Sequence, residues 1–149
     1  MRDRDIRNAI LDALKATNLF DGVYLWSLKD SADQAAGDAR AAAIQPIGWT
    51  ESDQWDDVAA GVIQIDGSCK LILMSRDESA DARDDSVEQL LNVACNAING
   101  QSLAGLTLPA WTKVRSARWK DAVPPERQIE ATIVYRYLVD DLVSFDETD

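Results

Sequence analysis

The sequence predicts an α+β fold: a mostly antiparallel β-sheet with two helices packed on one face, in a single domain over residues 1–149. Three observations point there. Two segments carry apolar stripes at helical spacing. A run of β-rich residues is split by Asp66-Gly67, the signature of a tight hairpin. The last third holds two further long strands on either side of Pro124-Pro125. The order is α-β-(excursion)-β-β-α-β-β, for which helices on one face of an antiparallel sheet are the economical packing.

Residues 5–17 form the first expected helix. Ile6, Ala9, Ile10, Ala13 and Leu14 recur at i, i+3, i+4, i+7 and i+8, and Leu11 widens the stripe. Asn18 and Asp21-Gly22 stop it and turn the chain. Residues 23–28 (VYLWSL) are expected as a short strand, apolar on both faces. Residues 29–57 read as a surface excursion. Their run DSADQAAGDARAAA is alanine-rich enough for a loose helix but has no large apolar face, and Pro46 and Gly48 interrupt it. Trp49 and Trp55 are expected to pin its end to the domain.

Residues 58–65 and 68–76 are expected to pair through a two-residue type I′ loop, since aspartate and glycine tolerate the positive φ it demands. That register sets Ile65 opposite Ser68, Ile63 opposite Lys70 and Val62 opposite Leu71. Leu71, Ile72, Leu73 and Met74 are apolar without a break, the mark of a central strand covered on both sides. An acidic loop over residues 77–84 leads to a second helix over about residues 86–99. Asp85 and Glu88 have capping-box spacing there. Val87, Leu90, Leu91, Ala94, Cys95 and Ile98 make the buried stripe, and Gly100 follows the cap. In the first of the final strands, strict alternation puts Lys113 and Arg115 on one face with Trp111 and Trp119, and Arg118 and Lys120 on the other. In the second, Ile129, Ala131, Ile133, Tyr135 and Tyr137 face one way and Glu130, Thr132, Val134, Arg136 and Leu138 the other. Residues 140–149 read as an acidic tail.

Composition narrows the function. The chain carries 26 acids against 15 bases, a net charge of −11, which disfavours general nucleic-acid binding. The charge is segregated: residues 30–57 hold seven acids and one base, residues 140–149 five acids and no base, and residues 113–120 four bases and no acid. A solvated face explains any one run; the three together suggest surfaces that meet. No run of 18 apolar residues occurs, so no membrane span or membrane partner is expected, and the N-terminus has no apolar segment of the signal-peptide kind. Cys69 and Cys95 lack CxxC spacing and sit in apolar segments, as buried free thiols of a reducing compartment would.

The enzyme vocabulary is thin. With no histidine, a Ser-His-Asp triad is unavailable, and two cysteines without histidine do not make a zinc site. Glu51/Asp53, Asp56/Asp57, Asp84/Asp85 and Asp140/Asp141 are paired carboxylates, but a magnesium nuclease needs such oxygens to converge beside a lysine. The nearest pair, Asp66 with Lys70, is better explained by the expected turn. The five tryptophans serve a glycosidase cleft no better than they serve a core or an interface. No enzyme activity, metal or cofactor is expected. Trp111, Lys113, Arg115, Arg118, Trp119 and Lys120 interleave aromatics with bases as single-strand binders do. Their split between two faces favours instead an edge that meets an acidic patch on a neighbouring subunit.

The order and spelling of the segments resemble the tail terminator and tail-completion proteins of long-tailed bacteriophages. Ile6 to Leu14 (IRNAILDAL) with Phe20-Asp21-Gly22 is similar to that family's opening helix and turn. Further back, AING ending at Gly100, then Trp111, Pro124-Pro125 and ATIVYRYL ending at Leu138 carry the likeness, roughly half the chain in all. The resemblance implies a virion structural protein, made in the host cytoplasm and resident in the tail or neck. Its homohexameric ring would stack on the tail tube protein, stop polymerisation and present a surface to the head–tail connector. DNA would pass through an acidic lumen without specific binding. On that reading Trp111, Lys113, Arg115, Arg118, Trp119, Lys120 and Arg136 form the subunit interface, and Glu51, Asp53, Asp56, Asp57, Asp77 and Glu78 face the lumen or a docking surface. Another neck or head-completion role is the near alternative. The competing class is an acidic DNA mimic that blocks a DNA-binding enzyme, against which the basic stretch 113–120 counts.

Overall fold

The computed structural model describes residues 2–26, 38–51, 63–122 and 124–139. The elements are α1 (Arg2–Lys15), β1 (Gly22–Leu25), β2 (Arg40–Glu51), β3 (Ile63–Arg76), α2 (Ala80–Ile98), β4 (Lys113–Lys120) and β5 (Glu126–Val139), with single 3-10 turns at Leu103–Gly105 and Pro109–Trp111. The strands make one five-stranded sheet in the order β1-β2-β3-β5-β4. Only β1 and β2 are parallel; β2–β3, β3–β5 and β4–β5 are antiparallel. The fold is therefore α+β, with two α-helices and a mixed, mainly antiparallel sheet.

Both helices lie on one face. Ile6, Ile10 and Leu14 of α1 are wholly buried, as the stripe requires, and join Val87, Leu90, Ala94 and Ile98 of α2 in one core. The sheet supplies Ala42, Ile44, Ile65, Cys69, Leu71, Leu73, Ile129, Ala131 and Ile133 to it. Each fully buried aliphatic side chain here contributes roughly 1.5–3 kcal/mol. The predicted odd-numbered face of β5 is thus the core face. Leu71, Ile72, Leu73 and Met74 are all buried, as expected of a central strand, with Ile72 and Met74 on the face away from the helices beside Ala41 and Ala43. Burial pushes the Cys69 thiol up to about 12 and raises that of half-buried Cys95; both are free.

Four expectations are corrected. Asp66-Gly67 is not a hairpin turn. Both residues lie inside β3, a continuous 14-residue strand, so the pairings of Ile65 with Ser68 and Ile63 with Lys70 do not occur. Ile65 instead faces Tyr137, and Lys70 faces Thr132. The physical reason is the partner strand. A Cβ built on Gly67 would lie 2.6 Å from Tyr135 Cζ, so glycine is there to let a ring cover the strand, not to permit a positive φ.

Second, the excursion is largely sheet where it is described. The 12-residue β2 pairs with both β1 and β3, and Ala41, Ala42, Ala43 and Ile44 are buried. Small alanines there pack in a two-sided strand rather than a loose helix. Asp21 begins the pairing, its Oδ2 accepting the N–H groups of Ala39 (2.9 Å) and Arg40 (3.0 Å). Pro46 and Gly48 leave a bulge in β2, not a break. Third, α2 starts six residues earlier than expected, at Ala80, because Ser79 Oγ accepts the Ala82 N–H and takes the cap assigned to Asp85. Fourth, β4 has a bulge between Val114 and Ser116 that changes which way its side chains face. Trp55, Val58, Val62 and the tail 140–149 lie outside the described residues, as do 27–37 of the first expected strand and the excursion and 52–57 of the excursion.

The glycine contact is testable. Gly67→Ala should cost about 1–3 kcal/mol by forcing Tyr135 aside, read as a lower urea midpoint at unchanged slope. An unaltered midpoint would show that the ring does not sit on the glycine.

Candidate functional site

The sheet face away from the helices carries four of the cations that the sequence singled out: Lys113, Arg118, Lys120 and Arg136. The β3–β5 register sets Asp66 beside Arg136, Lys70 beside Thr132 and Arg76 beside Glu126. The even positions of both strands therefore build a ladder of ion pairs along one surface.

At one end, Arg136 Nε donates to Asp66 Oδ1 at 2.6 Å and Nη2 to Oδ2 at 3.3 Å, a two-pronged contact. The Arg136 guanidinium also lies over the Trp111 ring, 3.8 Å from its centroid. Arg136 is 8% exposed, so its charge is engaged inside the subunit rather than offered to a neighbour. Pro109 begins the 3-10 turn that delivers Trp111 to this place. Behind it, Thr112 and Thr107 are buried and bonded hydroxyl to hydroxyl at 3.0 Å.

In the middle, Glu130 accepts from Lys70 at 2.8 Å and from Arg118 at 3.1 Å. Two cations on one carboxylate leave this group net positive. The Lys70 hydrogen bond holds the Glu130 carboxyl below its ordinary range; burial pulls the other way, and Arg118 adds to the lowering. At the far end Arg76 Nη2 meets Glu126 Oε1 at 2.5 Å.

The bulge decides what faces this surface. Across it, Lys113 pairs with Val134, Ser116 with Thr132, Arg118 with Glu130 and Lys120 with Gln128. Lys113, Arg118 and Lys120 thus share the ladder face, while Ala117 and Trp119 join Val114 on the helix face. Arg115 is the extra residue. Strict alternation in the sequence placed Lys113 with Trp119 and apart from Arg118; the bulge reverses both. Trp119 stacks instead with the Arg127 guanidinium, 4.3 Å from its centroid, and Arg127 pairs with Asp84 at 3.2 Å.

Lys113, Arg115, Trp111, Asp66, Ser68 and Thr50 border an open cleft of about 460 Å³ over the Arg136 end of the ladder. Lys113, Arg115 and Lys120 have no ion-pair partner among the described residues. The acids expected at a lumen or docking surface fall elsewhere. Glu51 is exposed at the end of β2, and Asp77 and Glu78 are exposed ahead of α2, where Asp77 Oδ1 accepts the Ser79 N–H at 2.9 Å. Asp53, Asp56 and Asp57 lie outside the described residues. Because α2 follows Arg76, its acidic start and the Lys113 cleft sit at opposite ends of β3, roughly 30 Å apart.

Asp66, Lys70, Glu130 and Arg127 were missed as members of the site. The Asp-Gly pair masked Asp66 and, with it, Lys70, and nothing local in the sequence marks Glu130 or Arg127, since cross-strand register alone brings them together. Among the described residues, no three Cys, Asp or Glu side chains are placed to hold a metal ion, and no helix is long and apolar enough to cross a membrane. No protein-family model matches the chain, and no curated protein matches it either.

Two outcomes follow from the ladder. Asp66→Asn suits a type I′ turn but here removes the charge facing Arg136. It should cost about 1–2 kcal/mol, discounted for the partial exposure of Asp66, and thermal melts of the pair would show it. The second concerns pH. Because the Glu130 carboxyl titrates lower folded than unfolded, its network contributes fully above the unfolded value and is lost as pH falls through the lowered one. Denaturation midpoints of wild type and Glu130→Gln should therefore differ at pH 7 and converge as the pH falls through the ordinary carboxylate range and past the lowered Glu130 value. A constant gap would exclude Glu130 as a source of the acid sensitivity.

Proposed function

We propose that this chain is a non-enzymatic virion assembly subunit of the tail terminator kind. It would form a homohexameric ring on a phage tail tube and present a surface to the head–tail connector, with DNA passing an acidic lumen unbound. The observation that carries the reading is the charge on β4. In a chain of net −11, this edge strand holds four bases and no acid, and three of its cations have no in-chain partner among the described residues. Unpaired cations on an edge strand suit a neighbour's carboxylates. A head-to-tail ring needs two unlike patches on each subunit. The cleft at Lys113 and Arg115 and the exposed acids at the start of α2 provide such a pair.

The exposed acids Asp77, Glu78, Asp81 and Asp85 also fit the competing reading, a DNA mimic. A mimic gains nothing from the basic strand, which would attract the DNA it imitates. Within β2, Ala41, Ala42, Ala43 and Ile44 are buried in the sheet and are not a docking surface, whereas Glu51 at the strand's end is exposed.

The experiment is charge reversal at cations that have no partner to lose. Lys113→Glu and Arg115→Glu should leave the circular dichroism spectrum and melting temperature nearly unchanged. Each should weaken self-association or binding to purified tail tubes roughly tenfold, since reversal adds repulsion to the lost attraction. Native mass spectrometry and light scattering report the assembly state. Wild-type assembly in both variants, or a wild-type monomer that ignores tail tubes, would end the proposal.

A further inference from the structure

β4 is an edge strand, but its outer edge is not equally open along its length. At its start the end of α2 closes it. Asn99 Oδ1 accepts the Val114 N–H at 2.7 Å, and Gly100 N–H donates to the Thr112 carbonyl at 2.9 Å. The Val114 N–H therefore points away from β5. In a strand, residues on the same face turn their N–H and C=O groups the same way. Beyond the bulge, Ala117 and Trp119 share the face of Val114, so their N–H and C=O groups also point outward. Among the described residues nothing bonds to them. Residues 116–120 are thus a short, regular, open edge.

The two sides of that edge differ in chemistry. On the helix side, Leu91, Ala117, Trp119 and Ile129 line a groove of about 310 Å³ between α2 and β4, with Glu88 and Asn92 at its border. Trp119 is 44% exposed there. On the ladder side stand Lys120 and Arg118, the latter sharing Glu130 with Lys70. Charges on an edge are a usual protection against unwanted pairing. Protection has no need of an apolar groove and an exposed indole on the other side.

From this geometry we infer that residues 116–120 bind an extended segment of a partner protein as a sixth strand, one whose side chains alternate between carboxylate and apolar. Main-chain bonds to Ala117 and Trp119 hold the segment. Its apolar side chains enter the Trp119 groove, and its carboxylates stand over Arg118 and Lys120. Charge complementarity identifies the occupant: the ladder side of this stretch is cationic, so a basic segment is repelled. The inference does not depend on ring formation, since the cleft is bordered by Lys113 and the bulge residue Arg115, both ahead of residues 116–120.

The probe is an acetylated, amidated heptapeptide alternating glutamate and valine, with a control of the same composition in which the two residue types are blocked together. Fluorescence anisotropy of the labelled peptides measures binding, and amide exchange by NMR locates it. The alternating peptide should bind saturably, and the Ala117 and Trp119 amides should gain protection. Ala117→Pro removes an outward N–H without touching the β4–β5 ladder, a substitution that edge strands tolerate. It should weaken binding about tenfold or more, and Lys120→Glu should weaken it severalfold. If Ala117→Pro does not fold, Lys120→Glu and the exchange pattern of the wild type decide. Equal binding of both peptides, unchanged binding by folded Ala117→Pro, or no saturable binding would overturn the inference. So would protection of these amides by raised protein concentration alone, which would make the occupant a second copy.

Discussion

The register of β3 against β5 is the constraint on which the surface depends, and it is fixed at Gly67. Glycine at that point leaves room for the Tyr135 ring on the core side. The Tyr135 hydroxyl donates to Asp3 at 2.7 Å, and Asp3 is buried at the start of α1. Burial, and then the Asp3 carboxylate, push the Tyr135 phenol far above its ordinary range, so it stays a donor. One side chain thereby ties central strand, neighbouring strand and first helix together. A slip of one residue would move every even-numbered side chain to the core. With the register held, Asp66 meets Arg136, and Glu130 comes within reach of both Lys70 and Arg118.

The β4 bulge is the second device, acting at the edge rather than the centre. One extra residue at Arg115 brings Lys113, Arg118 and Lys120 to a common face and turns Trp119 toward α2. It also separates a closed start of the strand, capped by Asn99 and Gly100, from an open end. Charge, aromatic contact and free main chain are thus sorted by a single irregularity. That sorting is the observation on which the proposed assembly role rests.

Much of the architecture was legible in the sequence, for reasons particular to each element. The stripe of Ile6, Ile10 and Leu14 and that of Val87, Leu90, Ala94 and Ile98 are periodic, and periodicity reports burial directly. The unbroken Leu71–Met74 run reported a central strand. The errors lie where a local signal had two physical meanings. Asp66-Gly67 spells a turn when nothing packs on the glycine, and a covered strand when a ring does. The alanines of 41–43 spell helix by propensity, yet small side chains also fit a strand packed on both faces. The site was less legible than the fold. Lys113, Arg115, Arg118 and Lys120 stood out by charge, but their common face depends on a bulge, and the partners Asp66, Lys70 and Glu130 depend on pairing across strands.

The central claim is that Lys113 and Arg115, the cations at the start of β4, meet carboxylates of a neighbouring copy. Zero-length carbodiimide cross-linking of an equal mixture of ¹⁴N- and ¹⁵N-labelled protein, with and without tail tubes, reads this directly. The account predicts linked peptides that join Lys113 to an acidic residue with one light and one heavy partner. Links from Lys113 that always carry a single isotope would place its partners within one chain and contradict the account.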